Sequence, residues 1–148
     1  METNELAIRI FVAIIIGASI GAEREHRKKP AGFITITMVC FGAATCAILE
    51  ELLLARALER GLPVLDYTRI TAQVISGIGF LGAGVILHNS NTLITGLTTA
   101  SIVWVSACLG LLTGYGYISI SLAFLFAIMI ILLGMRAVEI YLKDTNRL

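Results

Sequence analysis

Between Ile70 and Met135 the sequence carries no Asp, Glu, Lys or Arg, a stretch of 66 residues. Over the whole 148-residue chain 14% of residues are charged, against about 25% in a soluble domain, and 57% are apolar, against about 45–50%. A fold of this size buries only about two-thirds of its unfolded surface, too little to hide such an excess. That excludes a soluble enzyme domain, a disordered regulator and an ordinary nucleic-acid binder. A net charge of +1 gives no general pull on a polyanion either. Thiol chemistry is equally thin. Cys40, Cys46 and Cys108 form no C-x-x-C pair and fall in apolar runs, where a thiol behaves as a small apolar group, so neither a disulfide framework nor a zinc site is expected. No Ser-His-Asp or Cys-His grouping and no His/Glu spacing for a catalytic metal is present. The chain is expected not to be an enzyme and to need no cofactor.

What remains is apolar sequence of membrane-crossing length. One spanning helix takes about 20 mainly apolar residues. The neutral stretch therefore holds three, parted by a polar turn at His88–Asn91 and a glycine turn at Gly114-Tyr115-Gly116. The pattern predicts spans near 70–87, 93–113 and 117–135, a fourth near 31–49 and a fifth near 6–22. The fifth carries Arg9 close to its outer end, where a long side chain can snorkel to the headgroups. Too few strand-length alternations exist to close a barrel, and open sheet leaves unpaired backbone in lipid. The expected fold is all-α: a polytopic membrane bundle of about five transmembrane helices, one domain over residues 1–148. A cleaved signal peptide would want positive charge before the first apolar run, where Glu2 and Glu5 stand instead.

Lys and Arg set the expected orientation. Glu23-Arg24-Glu25-His26-Arg27-Lys28-Lys29 carries four of them, and a cytoplasmic first loop follows. Five spans then place seven Lys and Arg inside, with Arg136, Lys143 and Arg147 in the tail, and four outside: Arg9, Arg56, Arg60 and Arg69. The N-terminus is expected outside and the C-terminus in the cytoplasm. Past Met135 the last helix is expected to continue, with Glu139 four residues before Lys143.

Several motifs point toward chemistry and are weighed against packing. Gly77-Ile78-Gly79-Phe80-Leu81-Gly82 matches G-x-G-x-x-G, yet no strand precedes it and no acidic residue follows until Glu139, so dinucleotide binding is set aside. Gly77, Gly79, Gly82 and Gly84 instead let helix backbones approach, and this helix is expected in the middle of the bundle. Gly17/Gly21 and Gly110/Gly114 are further pairs of that kind. Arg69, Gln73 and Gly77 share one helix face, either a polar track or an interhelical hydrogen bond. Thr98 and Thr99 lie one turn inside the fourth span, and Trp104 stands near its middle, where packing is expected. Glu23 and Glu25 are placed to pair with Arg27 and Lys29. Glu50, Glu51 and Asp66 are weak candidates for an outer magnesium site, held through one or two carboxylates and waters; solvated helix ends are the commoner use of such residues. His26 and His88 are expected at the solvated rim.

Three of these stretches, in order, resemble the MgtC/SapB family of bacterial membrane proteins. They are Gly21-Ala22-Glu23-Arg24-Glu25 with Lys29-Pro30-Ala31-Gly32, then Arg69-Ile70 through Ala72-Gln73-Val74-Ile75-Ser76 to Gly77–Ile86, then Gly96-Leu97-Thr98-Thr99-Ala100 with Trp104 beyond. Asp66 opens the second stretch. Arginines usual in the family are replaced by Ile34, His88 and Thr95. The resemblance implies the family's membrane domain, without the soluble C-terminal domain that many members carry. It implies a bacterial inner-membrane protein linked to magnesium limitation, acid stress or virulence. The implied action is regulatory and non-catalytic, on partners such as the F-type ATP synthase, with the motif residues as contacts and a homodimer as the expected assembly. A cation transporter or channel lined by Arg69, Gln73 and Thr98, with Asp66 at its mouth, is the rival; the neutral tract offers such a path no acidic residue within the bilayer.

Overall fold

The structure is a computed structural model that describes residues 3–63, 68–88 and 94–145, the side chains of 87–88, 94 and 135–145 excepted. Five helices follow one another: α1 (Thr3–His26), α2 (Phe33–Glu59), α3 (Arg69–Val85), α4 (Leu97–Gly114) and α5 (Ile118–Thr145). Between α3 and α4 the backbone makes a two-residue antiparallel ladder, Leu87 against Thr95 and His88 against Ile94. Helices α1, α2 and α4 are long and apolar enough to cross a membrane. Helix α3 and the apolar part of α5, Ile118–Gly134, are shorter, the first 17 residues or about 25 Å at 1.5 Å per residue.

Helix α2 lies between α1 and α4, and small residues on both flanks make that possible. A Cβ on Gly17 would stand 2.7 Å from Thr37 Cα, and one on Gly21 2.7 Å from Phe33 Cα. On the opposite flank, Gly110 and Gly114 lie directly against the Cys40 and Ala44 carbonyls. Lipid tails are as apolar as leucine, so close backbone approach replaces the hydrophobic effect as the force that joins these helices. The core is built where the three meet, from Ala13, Ile16 and Ile20, from Ile36, Cys40 and Ala44, and from Ile102, Val103 and Leu109. Cys40 is buried there, and Cys46 and Cys108 are half-buried free thiols.

Sharp helix ends set the turns. Helix α4 stops at Gly116 (φ 83°), with Tyr117 N–H on the Leu112 carbonyl at 3.0 Å and Gly116 N–H on Thr113 at 3.0 Å. This paired closure wants glycine in the left-handed region. Helix α2 ends the same way, Leu62 N–H reaching the Ala57 carbonyl at 3.0 Å.

The position of α3 corrects the sequence-based expectation. It packs on α4 and α2 at the edge of the bundle, and Gly82 is its one buried residue, 3.6 Å from Ala100 Cβ when given a Cβ. Gly77, Gly79 and Gly84 face open space. The middle is already filled, because the glycine pairs of α1 and α4 close both flanks of α2.

Candidate functional site

Polar side chains gather at the two ends of the bundle and on the outer face of α3. At the α1–α2 loop end, the chain turns through Lys28 and Ala31 in the left-handed region (φ 53° and 55°). Glu25 then accepts the Phe33 N–H at 2.8 Å and so caps α2. Gly32 lies against the same carboxylate, 2.9 Å from Oε2 for an added Cβ. Arg24 stands on the buried stripe of α1 and is 4% exposed. Its Nη2 donates to the Pro30 carbonyl at 2.9 Å and to the Thr99 hydroxyl. Arg27 pairs with Glu23 at 2.5 Å through Nε and donates from Nη2 to the Leu132 carbonyl at 2.9 Å. A cavity of about 320 Å³ opens among Glu23, Arg24, Arg27, Lys29, Thr98 and Thr99.

At the opposite end, Arg9 is 5% exposed, and its guanidinium holds Glu5 and Glu51 at 2.5 Å each and the Gly114 carbonyl at 2.9 Å. The expectation that it reaches out to headgroups is overturned: two carboxylates and a helix-end carbonyl hold it inside. Glu50 is buried as well, where a solvated helix end was the commoner expectation. Its carboxylate accepts Ile70 N–H at 2.8 Å, Thr71 N–H at 3.2 Å, the Thr71 hydroxyl at 2.5 Å and the Tyr115 hydroxyl. It thereby caps the N-terminus of α3, whose first amides have no partners within the helix. Burial, together with the neighbouring Glu50 carboxylate, pushes the Tyr115 phenol up to about 12.

The weak magnesium candidates are therefore split. Glu50 serves α3 and Glu51 serves Arg9, while Asp66 lies outside the described residues. Among the described residues no group of three His, Cys, Asp or Glu side chains stands ready for a metal. Glu23 makes its expected pair with Arg27, whereas Glu25 turns to the α2 backbone rather than to Lys29.

On α3, Arg69, Gln73 and Gly77 do share a face, and that face is exposed. Gln73 has no hydrogen-bond partner among the described residues. Phe80, 82% exposed, continues the stripe to Gly84. Trp104, 44% exposed, borders a groove of about 400 Å³ between α3 and α4, with Gly79, Gly82 and Ala100. Thr99 is buried and Thr98 exposed beside the loop-end cavity.

The three motif stretches thus touch one another. The first meets the third through Arg24 and Thr99, and the end of the second meets the third where the Val85 carbonyl presses on Gly96, at φ 94° and with no room for a side chain. The MgtC family model matches residues 10–141. The chain belongs to the MgtC family. Its relatives include Protein SapB of Bacillus subtilis, 37% identical over 126 residues that cover 85% of this chain and 54% of the relative. The putative magnesium transporter YhiD of Escherichia coli K12 is 41% identical over 115 residues, 77% of this chain and 53% of the relative. Protein MgtC of Brucella abortus is 41% identical over 107 residues, 72% of this chain and 41% of the relative. The chain spans about half the length of these relatives and corresponds to their membrane domain. No solved structure matches.

Sequence reasoning missed the role of the two buried arginines. The signal was there: Arg9, Ala13, Ile16, Gly17, Ile20, Gly21 and Arg24 form one buried stripe at helical spacing. Of the three positions at which the resemblance led to an expectation of arginine, Thr95 lines the loop-end cavity, Ile34 is exposed at the start of α2, and the side chain of His88 is not described.

Proposed function

We propose that this MgtC-family protein is a non-catalytic regulator that binds another membrane protein through the outer face of α3. The observation that carries the reading is Gln73, an amide about 6 Å inside the start of an apolar helix, exposed and without a partner among the described residues. Polar side chains in membrane helices turn toward protein or water, because an unpaired amide in hydrocarbon costs several kcal/mol. Gly77 and Gly84, on the same face with open space above them, admit the close approach of a partner helix. An interhelical hydrogen bond from Gln73 then contributes about 0.5–2 kcal/mol.

In this reading the chain spans the inner membrane of a bacterium five times, N-terminus outside and C-terminus in the cytoplasm, in line with the distribution of Lys and Arg. It acts under magnesium limitation, acid stress or infection, and the F-type ATP synthase is the first partner to test, with a second copy of the chain as the other. Gln73→Leu and Gly77→Leu each abolish co-purification of the partner from native membranes while the protein itself accumulates normally. Unchanged recovery with both variants would remove the idea.

The name of the Escherichia coli relative favours a second reading, a magnesium transporter. Against it stand the neutral tract from Ile70 to Met135 and the commitment of Glu50 and Glu51 to helix capping and ion pairing. Proteoliposomes loaded with a magnesium-sensitive dye separate the two: the regulatory reading expects no flux above empty vesicles.

A further inference from the structure

We propose that the loop-end cavity binds the phosphate of an anionic phospholipid, with one acyl chain lying in the groove that adjoins it. The two buried arginines of α1 make the case by contrast. Arg9 is 5% exposed and carries two carboxylates. Arg24 is 4% exposed, and its two hydrogen bonds go to neutral oxygens, of Pro30 and Thr99. Its Nε, like that of Arg9 and like both Glu23 carboxylate oxygens, is buried without a hydrogen-bond partner among the described residues. Of the two acids that flank it in sequence, Glu23 is paired with Arg27 and Glu25 caps α2. Among the described residues no carboxylate hydrogen-bonds Arg24, and Glu23 is the one acid in the lining that offsets it, so the cavity keeps an excess of positive charge that a bound anion would relieve.

The rest of the lining supplies what a phosphate would use. Arg27 and Lys29 border the cavity, and with Arg24 they exceed Glu23 by two positive charges. Helix α4 begins in its wall, at Gly96, an N-cap residue that makes no side-chain capping bond, and a helix start of this kind attracts anions. A volume of about 320 Å³ sits at the small end of ligand pockets, which run from about 300 to 1,000 Å³.

Continuity with apolar space points to a lipid rather than a free anion. A second cavity of about 360 Å³ shares Thr98 and Leu132 with the first and runs on between Ile102, Val105, Ile128 and Ile131 of α4 and α5. Headgroup phosphate in the basic chamber and acyl chain along the apolar one match the two halves of one molecule. A choline headgroup would bring its own cation against Arg27 and Lys29, so the anionic lipid is the better occupant.

The test is binding to the full chain, purified in a neutral detergent, by titration with three probes: short-chain phosphatidylglycerol, short-chain phosphatidylcholine and inorganic phosphate. Phosphatidylglycerol is expected to bind most tightly and to raise the thermal unfolding midpoint. Arg24→Gln and Lys29→Gln should weaken it roughly 10- to 100-fold, the loss of a hydrogen bond to a charged group. Lys28→Gln, in the same loop but outside the lining, should bind like the parent. Should Arg24→Gln fail to fold, Lys29→Gln on the exposed rim still decides the matter. Equal affinity for both lipids, a response to inorganic phosphate without one to phosphatidylglycerol, or unweakened binding in Lys29→Gln would each overturn the proposal.

Discussion

Alanine in place of glycine should change stability in opposite directions at two sites in the same protein. At Gly110 the new Cβ would press on the Cys40 carbonyl and stand 2.9 Å from Ala43 Cβ and 3.0 Å from Cys40 C. Two of those neighbours are backbone, so α2 and α4 must separate. Overpacking of this kind costs about 1–3 kcal/mol. In a helix interior alanine also gains about 0.5–1 kcal/mol over glycine, which leaves Gly110→Ala less stable by roughly 0.5–2 kcal/mol. At Gly77 nothing lies within 4 Å of the new atom, so only the gain applies and Gly77→Ala is more stable by about 0.5–1 kcal/mol. The helix-propensity part is common to both, and the difference between the variants, about 1–3 kcal/mol, therefore measures the α2–α4 contact itself. Reversible unfolding in mixed micelles, with helicity followed while a denaturing detergent is titrated in, reads both variants on one scale. Equal stabilities, or a Gly110→Ala protein at least as stable as the parent, would refute the packing described for α2 and α4.

Three other outcomes follow from the polar ends. Glu50→Gln turns one of the two carboxylate oxygens that serve Ile70, Thr71 and Tyr115 into an NH2 donor and should cost about 1–3 kcal/mol, with faster hydrogen exchange at the first amides of α3. Tyr115→Phe removes one donor of that set and should cost less, about 0.5–1.5 kcal/mol in the same micelle assay. The Tyr115 phenol is raised from about 10 to about 12 in the folded protein, so the unfolded chain loses its proton first. Its contribution to stability is full below about pH 10 and is lost as pH rises toward 12; Tyr115→Phe should flatten that decline.

How much of this was legible in the sequence depends on the range of the contact. The five helices were legible, because a neutral run broken by His88–Asn91 and Gly114-Tyr115-Gly116 leaves few other readings. Their ends were not. Helix α2 continues ten residues past the expected limit at Leu49, to Glu59, since an apolar run marks hydrocarbon and says nothing of helix beyond it. Glycine spacing located close approaches, and Gly17/Gly21 and Gly110/Gly114 make them, but it did not tell covered glycines from open ones on α3. Arg9 and Arg24 lay on the core stripe of α1 and were still read as a snorkelling side chain and as a cation of the cytoplasmic loop. Glu51 is 42 positions from Arg9, and Thr99 is 75 from Arg24, so no local pattern carries either contact.

The central claim, that the outer face of α3 meets another membrane protein, is most directly tested by a photo-reactive amino acid at Gly77, activated in native membranes. The account predicts an adduct to a second polypeptide, lost on Gln73→Leu, while the same probe at Phe126 on exposed α5 labels lipid alone. A probe at Gly77 that behaves like the one at Phe126 would contradict it.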